Sequence, residues 1–394
     1  MGNFESPRLA AGQTVLILGG DGFCGWPTAL RFSSMGAQVV ILDNGARRET
    51  DRNLGVASLT PIQSLHDRVE AWTAVEGSVI RTHNVDLAEN YAGLLRVLLE
   101  TRPDIIIHFA EQRSAPYSMR SSEGARYTVD NNIRATHNLL AALVETRLDP
   151  HLMHLGTIGV YGYATAGLQL PEGYLKVKAL GADGREVGKE ILYPGQPDSL
   201  YHMTKMLDQH LFEFYARYHG VRITDLHQGV VWGTQTAETC RDLRLVNRFD
   251  HDAIYGTVTN RFILQALEGR PLTVYGSGSQ TRGFIHIEDM LTCLTLAAAT
   301  PTKRGERVRI LNQIAETSSI NALAGRISRI TGAEVVHLDN PRREPEGNEF
   351  EVDNGTFHDL GFVAHRFDEI LETEIAQLGE LLGLDGTGPR SSVA

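Results

Sequence analysis

Cysteine is scarce in this chain of 394 residues. There are three, Cys24, Cys240 and Cys293, too few for a disulfide framework and too widely spaced for a Cys-x-x-Cys metal pair. That usage fits a reducing compartment. No apolar run approaches the ~20 residues that a helix needs to span a bilayer. The stretch Met1 to Gln13 has neither the apolar core of a secretory signal nor the Arg/Ser richness of a transit peptide, so a cytoplasmic protein is expected. Positive charge is in deficit: 37 Lys and Arg against 48 Asp and Glu leave a net charge of −11. Nucleic acid and anionic membrane are therefore poor candidates as partners, although a local basic pocket for phosphate is compatible with this balance. Histidine is frequent, at 15, but no His-x-x-x-His stands with a supporting carboxylate, so no metal site is expected. Hydrophobic residues make up 42% of the chain, enough for a large core in one or two domains.

What is present begins with a short β-branched run, Thr14 to Leu18, which reads as a buried strand. Gly19-Gly20-Asp21-Gly22-Phe23-Cys24-Gly25 follows at once. A helical pattern then runs from Trp26 to Met35, and a second strand, Gln38 to Leu42, ends at Asp43. Glycines at 19, 22 and 25 permit a tight turn and a close approach of backbone to a pyrophosphate at the helix N-terminus. An acid at the end of the second strand can hydrogen-bond the ribose hydroxyls and repel a 2′-phosphate, which favours NAD over NADP. Arg47 and Arg48, a few residues on, weaken that preference. The complete strand, glycine turn, helix, strand and acid context makes dinucleotide binding the expected role. An α/β fold follows, a Rossmann-type doubly wound parallel sheet.

Residues 45–72 read as a long polar insertion. Further strands are expected at Val79 to Asp86, Asp104 to Ala110, His151 to Leu155 and Arg222 to Leu226. Asp86 closes the first of these, where adenine can be met. Glu111 to Ser118 follows the second, at a sheet edge where such folds bind ligands. A helix from Val129 to Glu145 would begin with Asp130-Asn131-Asn132 facing the cofactor, though Asn132 reads equally as a cap. Thr157 follows the strand at 151–155, as a ligand-facing hydroxyl or a simple turn residue. Residues 163–197 look like a loop or hairpin arm. After Gly233 the alternation stops, which places the NAD-binding domain at 1–233, a smaller α/β and mainly substrate-binding region at 234–385 and a disordered tail at 386–394. Arg282, Arg342 and Arg343 are candidate diphosphate ligands because guanidinium forks match phosphate oxygens.

Ser199-Leu200-Tyr201-His202-Met203-Thr204-Lys205 carries the chemistry. Tyr201 and Lys205, four apart, lie on one helix face. A free phenol titrates near pH ~10 and is a poor base at neutral pH, and a neighbouring ammonium favours the phenolate. Tyr201 can then exchange a proton with a substrate hydroxyl.

Together the glycine turn, Thr157 and the Tyr201/Lys205 pair resemble the extended short-chain dehydrogenase/reductases that modify nucleotide sugars. Ser58-Leu59-Thr60-Pro61-Ile62, Glu111-Gln112-Arg113-Ser114-Ala115-Pro116-Tyr117-Ser118-Met119, Tyr201-His202, Gln228-Gly229-Val230-Val231 and Gln280-Thr281-Arg282-Gly283 narrow the resemblance to the UDP-sulfoquinovose synthase subfamily, over roughly residues 14 to 365. The resemblance implies NAD held by Gly19, Gly22, Phe23, Cys24, Asp43, Asn44 and Arg47, with Asp86, Ala110, Asn132, Tyr201, Lys205 and Gln228 completing the site. It implies a UDP-sugar bound through Arg113, Thr157, His227, Thr273, Tyr275, Arg282 and Arg342 or Arg343. It also implies C4 oxidation of UDP-glucose, loss of water across C5–C6, addition of sulfite, and a homodimer built on the helices that carry residues 130–145 and 201–218.

One departure bears on the chemistry. The family pattern Thr-Met-Gly-Glu-Tyr-Gly is here Thr157-Ile158-Gly159-Val160-Tyr161-Gly162, so its carboxylate is lost. His202, Glu111 and His227 are the candidates for the C5 base, and His227 itself replaces a family asparagine. A redox-neutral 5,6-dehydratase, acting on a nucleotide sugar or a nucleoside without sulfite, is the second reading. A non-catalytic NAD-sensing protein is a third, but such proteins usually lose the tyrosine or lysine kept here.

Overall fold

The computed structural model describes residues 11–162, 169–193, 195–339 and 351–384. The expected tail at 386–394 lies outside them, as do Arg342 and Arg343. Seven strands form one parallel sheet: β1 (Thr14–Leu18), β2 (Gln38–Leu42), β3 (Arg81–His83), β4 (Ile105–His108), β5 (His151–Thr157), β6 (Arg222–Gln228) and β7 (Arg309–Gln313), in the order β7-β6-β5-β4-β1-β2-β3. Each strand runs parallel to its neighbours. Val15 and Ile17 of β1 enter one hydrophobic cluster, and Leu16 and Leu18 enter another. Burial on both faces is what a parallel sheet covered by helices requires, and it explains the unbroken apolar run of β1.

The strand order reverses at β1, which has β2 on one side and β4 on the other. The crevice outside the carboxyl ends of β1 and β4 is the topological switch point where open α/β sheets bind ligands. Three helices frame it: α1 (Gly25–Ser34), α2 (Ser122–Thr146) and α3 (Leu200–His219), with α2 packed along α3.

The structure corrects several expectations. The insertion at 45–72 is not loop: it holds helices Ala46–Leu54 and Leu65–Glu76. The second had readable signals. Ser64 accepts a hydrogen bond from the Asp67 amide, and Gly77 ends the helix in the left-handed region at φ 80°. Ala71 and Trp72 are buried, and the Trp72 indole donates to Ser33 of α1. β3 is only three residues long. Helix α2 starts at Ser122 rather than Val129, so Asn132 sits inside it. Gly233 does not close the sheet, because β7 comes from beyond it. Within the arm at 163–197, Tyr174–Leu180 and Glu186–Leu192 pair as an antiparallel hairpin.

The C-terminal region has a core of its own. Trp232, Phe249, Phe262, Phe284 and Phe367 are buried together. Two small sheets flank that core: Glu316–Ser319, Thr281–His286 and Val230–Trp232 in one, Leu272–Tyr275 and Val335–Leu338 in the other.

Candidate functional site

The glycine turn closes directly over the switch point. A Cβ on Gly25 would lie 2.1 Å from the Gly19 carbonyl oxygen, and one on Gly19 would lie 2.9 Å from the Ala110 nitrogen across the crevice. Gly19 also has φ 82°, where side chains are strained. No side chain caps α1; Trp26 and Thr28 donate to the Gly22 and Cys24 carbonyls and Pro27 has no N–H, so the first-turn amide left for a phosphate is that of Gly25. Above the turn opens a cleft of about 1250 Å³ including its open mouth. Gly19, Gly22, Phe23, Cys24, Asp43, Asn44, Arg47, Asp86, Ala110, Tyr201, Lys205 and Gln228 all line it, and so does Arg113. Asp43 accepts from the amides of Asp21 and Gly45 at 2.9 and 2.8 Å. Arg47 and Arg48 are committed elsewhere, Arg47 to Asp51 and Asp250 and Arg48 to Asp21. Neither is set aside for a 2′-phosphate.

Helix α3 brings the reacting pair to this cleft. Ser199 caps its first turn by accepting from the His202 amide at 3.2 Å, and the Tyr201 amide donates to the Ser118 hydroxyl. Lys205 is buried, and its Nζ donates to the Leu155 carbonyl at 2.7 Å and stands 3.0 Å from Glu111 Oε1. Burial raises the Tyr201 phenol and Lys205 opposes the rise; the net direction is upward. Burial also works against the Lys205 ammonium, but Glu111, Tyr201 and Asp208 outweigh it and its pKa is raised.

Residues 15–312 match the NAD dependent epimerase/dehydratase family. The chain belongs to this family. Over 375 residues it is 40% identical to the chloroplastic UDP-sulfoquinovose synthase of Spinacia oleracea, covering 94% of this chain and 76% of that one. It is 37% identical over 353 residues to the UDP-sulfoquinovose synthase of Sulfolobus acidocaldarius, covering 88% of each. Among solved structures, the UDP-glucose 4-epimerase of Thermotoga maritima with UDP-glucose aligns at a TM-score of 0.68 and 20% identity, over 94% of this chain and 99% of that one. These distant structures share the fold. The cofactor of this epimerase/dehydratase is NAD, and the turn, the uncapped helix and Asp43 fit it.

Sequence reading missed most of the polar network beneath Lys205 in this family member. His154 of β5 is fully buried, with Nε2 2.9 Å from Glu111 Oε1 and Nδ1 2.8 Å from Asp225 Oδ1. Asp225 Oδ2 lies 3.0 Å from His227 Nε2, and His227 Nδ1 pairs with the Tyr161 hydroxyl at 2.7 Å. Burial opposes the Glu111 charge, yet Lys205 and then His154 outweigh it and hold its pKa at about 2. Burial, with Glu111 beside it, pushes Asp208 well up. Donor atoms of Glu111, His154 and Asp208 lie close enough together for a metal ion. The Lys205 ammonium, 3.0 Å from both Glu111 and His154, already supplies the positive charge there.

Other expected residues of this epimerase/dehydratase lie elsewhere. Asn132 is buried inside α2, donates to the Gln112 carbonyl and accepts from the Gln112 amide, so it pins the segment after β4 instead of lining the cleft. His227 is wholly buried in the network just described, away from the cleft lining. Thr157 ends β5 beside Gly156 of the cleft and accepts from the Gly159 amide at 3.1 Å. The His202 ring lies against Gly159, whose added Cβ would meet it at 2.4 Å. Thr273 accepts from Gln265 at 2.8 Å, and the Arg261 guanidinium lies over the Tyr275 ring. Arg282 donates to its neighbour's carbonyl, that of Thr281. Val160 is buried with Ile158, Tyr161, Leu170 and Ile314 in a small apolar cluster. No described helix is long and apolar enough to cross a membrane.

Proposed function

We propose that the protein is a cytoplasmic, homodimeric UDP-sulfoquinovose synthase. It takes UDP-glucose and sulfite, oxidises the sugar transiently at C4, eliminates water across C5–C6, adds sulfite at C6 and restores C4 with no net redox change. The observation that carries this reading is 40% identity to a UDP-sulfoquinovose synthase over 94% of the chain, and the Tyr201/Lys205 pair lining the cofactor cleft supports it. When bound, NAD supplies the hydride acceptor for C4 and later the donor.

Tyr201, whose phenol burial raises in the resting site, accepts the proton of the 4-hydroxyl once it is ionised. Lys205 stabilises that phenolate, since an ammonium beside a phenol favours its charged form. Thr157 accepts from backbone, which leaves its own hydroxyl proton to hold O4. The C4 ketone acidifies the C5 proton, and departure of that proton and of the 6-hydroxyl leaves a C5–C6 alkene that sulfite attacks at C6. Glu111 is tied to Lys205 and His154, and His227 is sealed in the core. His202, adjacent to Tyr201, is therefore the proposed C5 base. Arg282 and Arg113 are proposed to hold the diphosphate and sugar, with Thr273 and Tyr275 along the uracil.

Val160 favours a second reading. The family carboxylate is replaced by an apolar side chain packed in a core cluster, and a 5,6-dehydratase that returns the hydride without sulfite would leave an exocyclic alkene. Mass spectrometry of the products from UDP-glucose, with and without sulfite, separates the two. A sulfonated sugar nucleotide formed only with sulfite is the expected result. Loss of one water with no sulfite incorporated would replace the first reading with the second.

A further inference from the structure

We propose that Arg248 is a positioning residue for the cofactor: by closing a neutral ring with Asp51, Arg47 and Asp250, it leaves the Arg113 charge uncompensated beside the glycine turn, where it attracts the diphosphate of NAD. The proposal concerns NAD alone and stands whether or not the sugar substrate is UDP-glucose.

The difficulty it resolves is one of charge. Each phosphate of the cofactor is anionic, yet α1 leaves only the Gly25 amide in its first turn. Asp21 sits in the glycine turn with Asp43 against its amide, and the guanidiniums on Asp21, those of Arg48 and Arg68, do no more than match these two carboxylates. The positive charge for the diphosphate must come from another group.

A second ionic cluster supplies it. Arg47 Nη1 lies 2.7 Å from Asp51 Oδ1, and its Nη2 lies 3.1 Å from Asp250 Oδ1. Arg248 bridges the same two carboxylates, with Nη2 on Asp51 Oδ2 and Nε 3.2 Å from Asp250 Oδ1. Two guanidiniums and two carboxylates thus close a ring. Arg113 is the surplus member, with Nη2 2.5 Å from the other oxygen, Asp250 Oδ2. Arginine keeps its proton in proteins, so three cations stand against two anions, and protonation of a carboxylate would only widen the excess. Donors are in excess too: Arg47 Nε and Arg248 Nη1 are buried without a hydrogen-bond partner among the described residues. The cluster is fastened to the glycine turn. Asn247, next to Arg248, donates to the Phe23 carbonyl at 3.0 Å, and the Arg113 guanidinium lies 5.9 Å from the Phe23 ring centre and 5.6 Å from that of Tyr255. Arg47, Arg113 and Arg248 all border the cleft. Arg248 is only 1% exposed, so it acts through its partners. A surplus charge in a partly buried site is costly unless an anion meets it, and the anion that a glycine turn receives is the diphosphate. The role of Arg113 at the sugar is undisturbed, because what reaches the cofactor is charge rather than a bond.

The test uses full-length protein freed of nucleotide, with NAD and adenosine binding read by displacement of NADH fluorescence. Arg248→Met removes the surplus. NAD is expected to bind roughly tenfold or more weakly, the order expected of one charge acting across a partly buried site, while adenosine, which lacks the diphosphate, binds as before. Asp51→Asn enlarges the surplus and is expected to tighten NAD relative to wild type without changing adenosine. A merely structural ring would give no such gain, since the substitution removes a bonded partner. Combining the two substitutions restores the original excess and should return NAD affinity close to the wild-type value. Equal losses for NAD and adenosine in Arg248→Met, a weaker NAD complex in Asp51→Asn, or a combined variant that recovers nothing would overturn the proposal. UDP is titrated in parallel by calorimetry, and a loss that falls on UDP with NAD unmoved would place the charge at the sugar nucleotide and refute the role. If Arg248→Met does not fold by circular dichroism, the gain or loss in Asp51→Asn decides.

Discussion

Tyr201→Phe keeps the ring and its packing but removes the only proton-exchanging atom. Turnover is expected to disappear while NAD binding stays intact, and product mass spectrometry alongside a cofactor titration separates the two effects. Gly25→Ala should do the reverse. Its Cβ would lie 2.1 Å from the Gly19 oxygen and 2.8 Å from the Gly20 Cα, both backbone atoms that cannot swing aside. NAD affinity measured by calorimetry is expected to weaken about tenfold or more, which corresponds to ~1.4 kcal/mol. The reacting pair was legible in the sequence because both of its members sit on one helix, where a spacing of four fixes the neighbourhood. His154 was not, because its partners come from β4, α3 and β6, and only the strand register sets Asp225 opposite it. Asn132 was misassigned for a related reason. The start of α2 is marked locally by Ser121, which accepts from the Gly124 amide, and by Glu123 in the first turn; with that cap overlooked, a mid-helix clamp on Gln112 was mistaken for a helix-start residue facing the cofactor.

At the scale of elements, the cap of α3 and the clip beside β7 carry separate predictions. Ser199→Ala removes the bond to the His202 amide and should cost ~1 kcal/mol in denaturant unfolding. It also loosens the turn that carries Tyr201, so kcat should fall as well. The clip joins residues 170–173 to the segment after 351, where Leu170 pairs with Val352 and Thr356 donates to Glu172. Burial raises the Glu172 carboxyl, against the pull of the Thr356 bond, from 4.5 to about 7. The folded state therefore holds a proton that the unfolded chain releases, and stability is lost as pH rises from about 4.5 to about 7. Glu172→Gln should abolish that loss: its Tm is expected to exceed the wild-type value at pH 8 and to approach it at pH 5. An unchanged difference across that range would show that Glu172 titrates normally. The elements themselves were readable wherever a pattern was strong, as in β1, β2, α1 and α3. The helices of the 46–76 insertion were missed because the first is mostly polar and is held by ion pairs such as Arg48–Asp21, while the charged residues of the second obscure an apolar stripe of Leu65, Val69, Trp72 and Val75 that packs on the core beside the Arg68–Asp21 pair.

At the scale of the whole molecule, the chain returns after Gly233 to finish the sheet with β7, a long-range event that no local composition shift announces. The proposed homodimer is also a whole-molecule property, and one face of α3 supports it. Met203, Leu207, Phe214 and Tyr218 are exposed, at 36%, 38%, 51% and 64%. At about 100° per residue they fall within a stripe roughly 60° wide. An apolar stripe of this kind on a soluble helix is costly unless it is covered, and a twofold axis would pair it with itself. Light scattering at micromolar concentration should therefore give twice the chain mass. The double substitution Leu207→Asp and Phe214→Asp places four like charges across that axis and should yield a monomer that still binds NAD, because neither side chain lines the cleft. A wild-type monomer, or a double variant that remains dimeric, would move the interface off these helices.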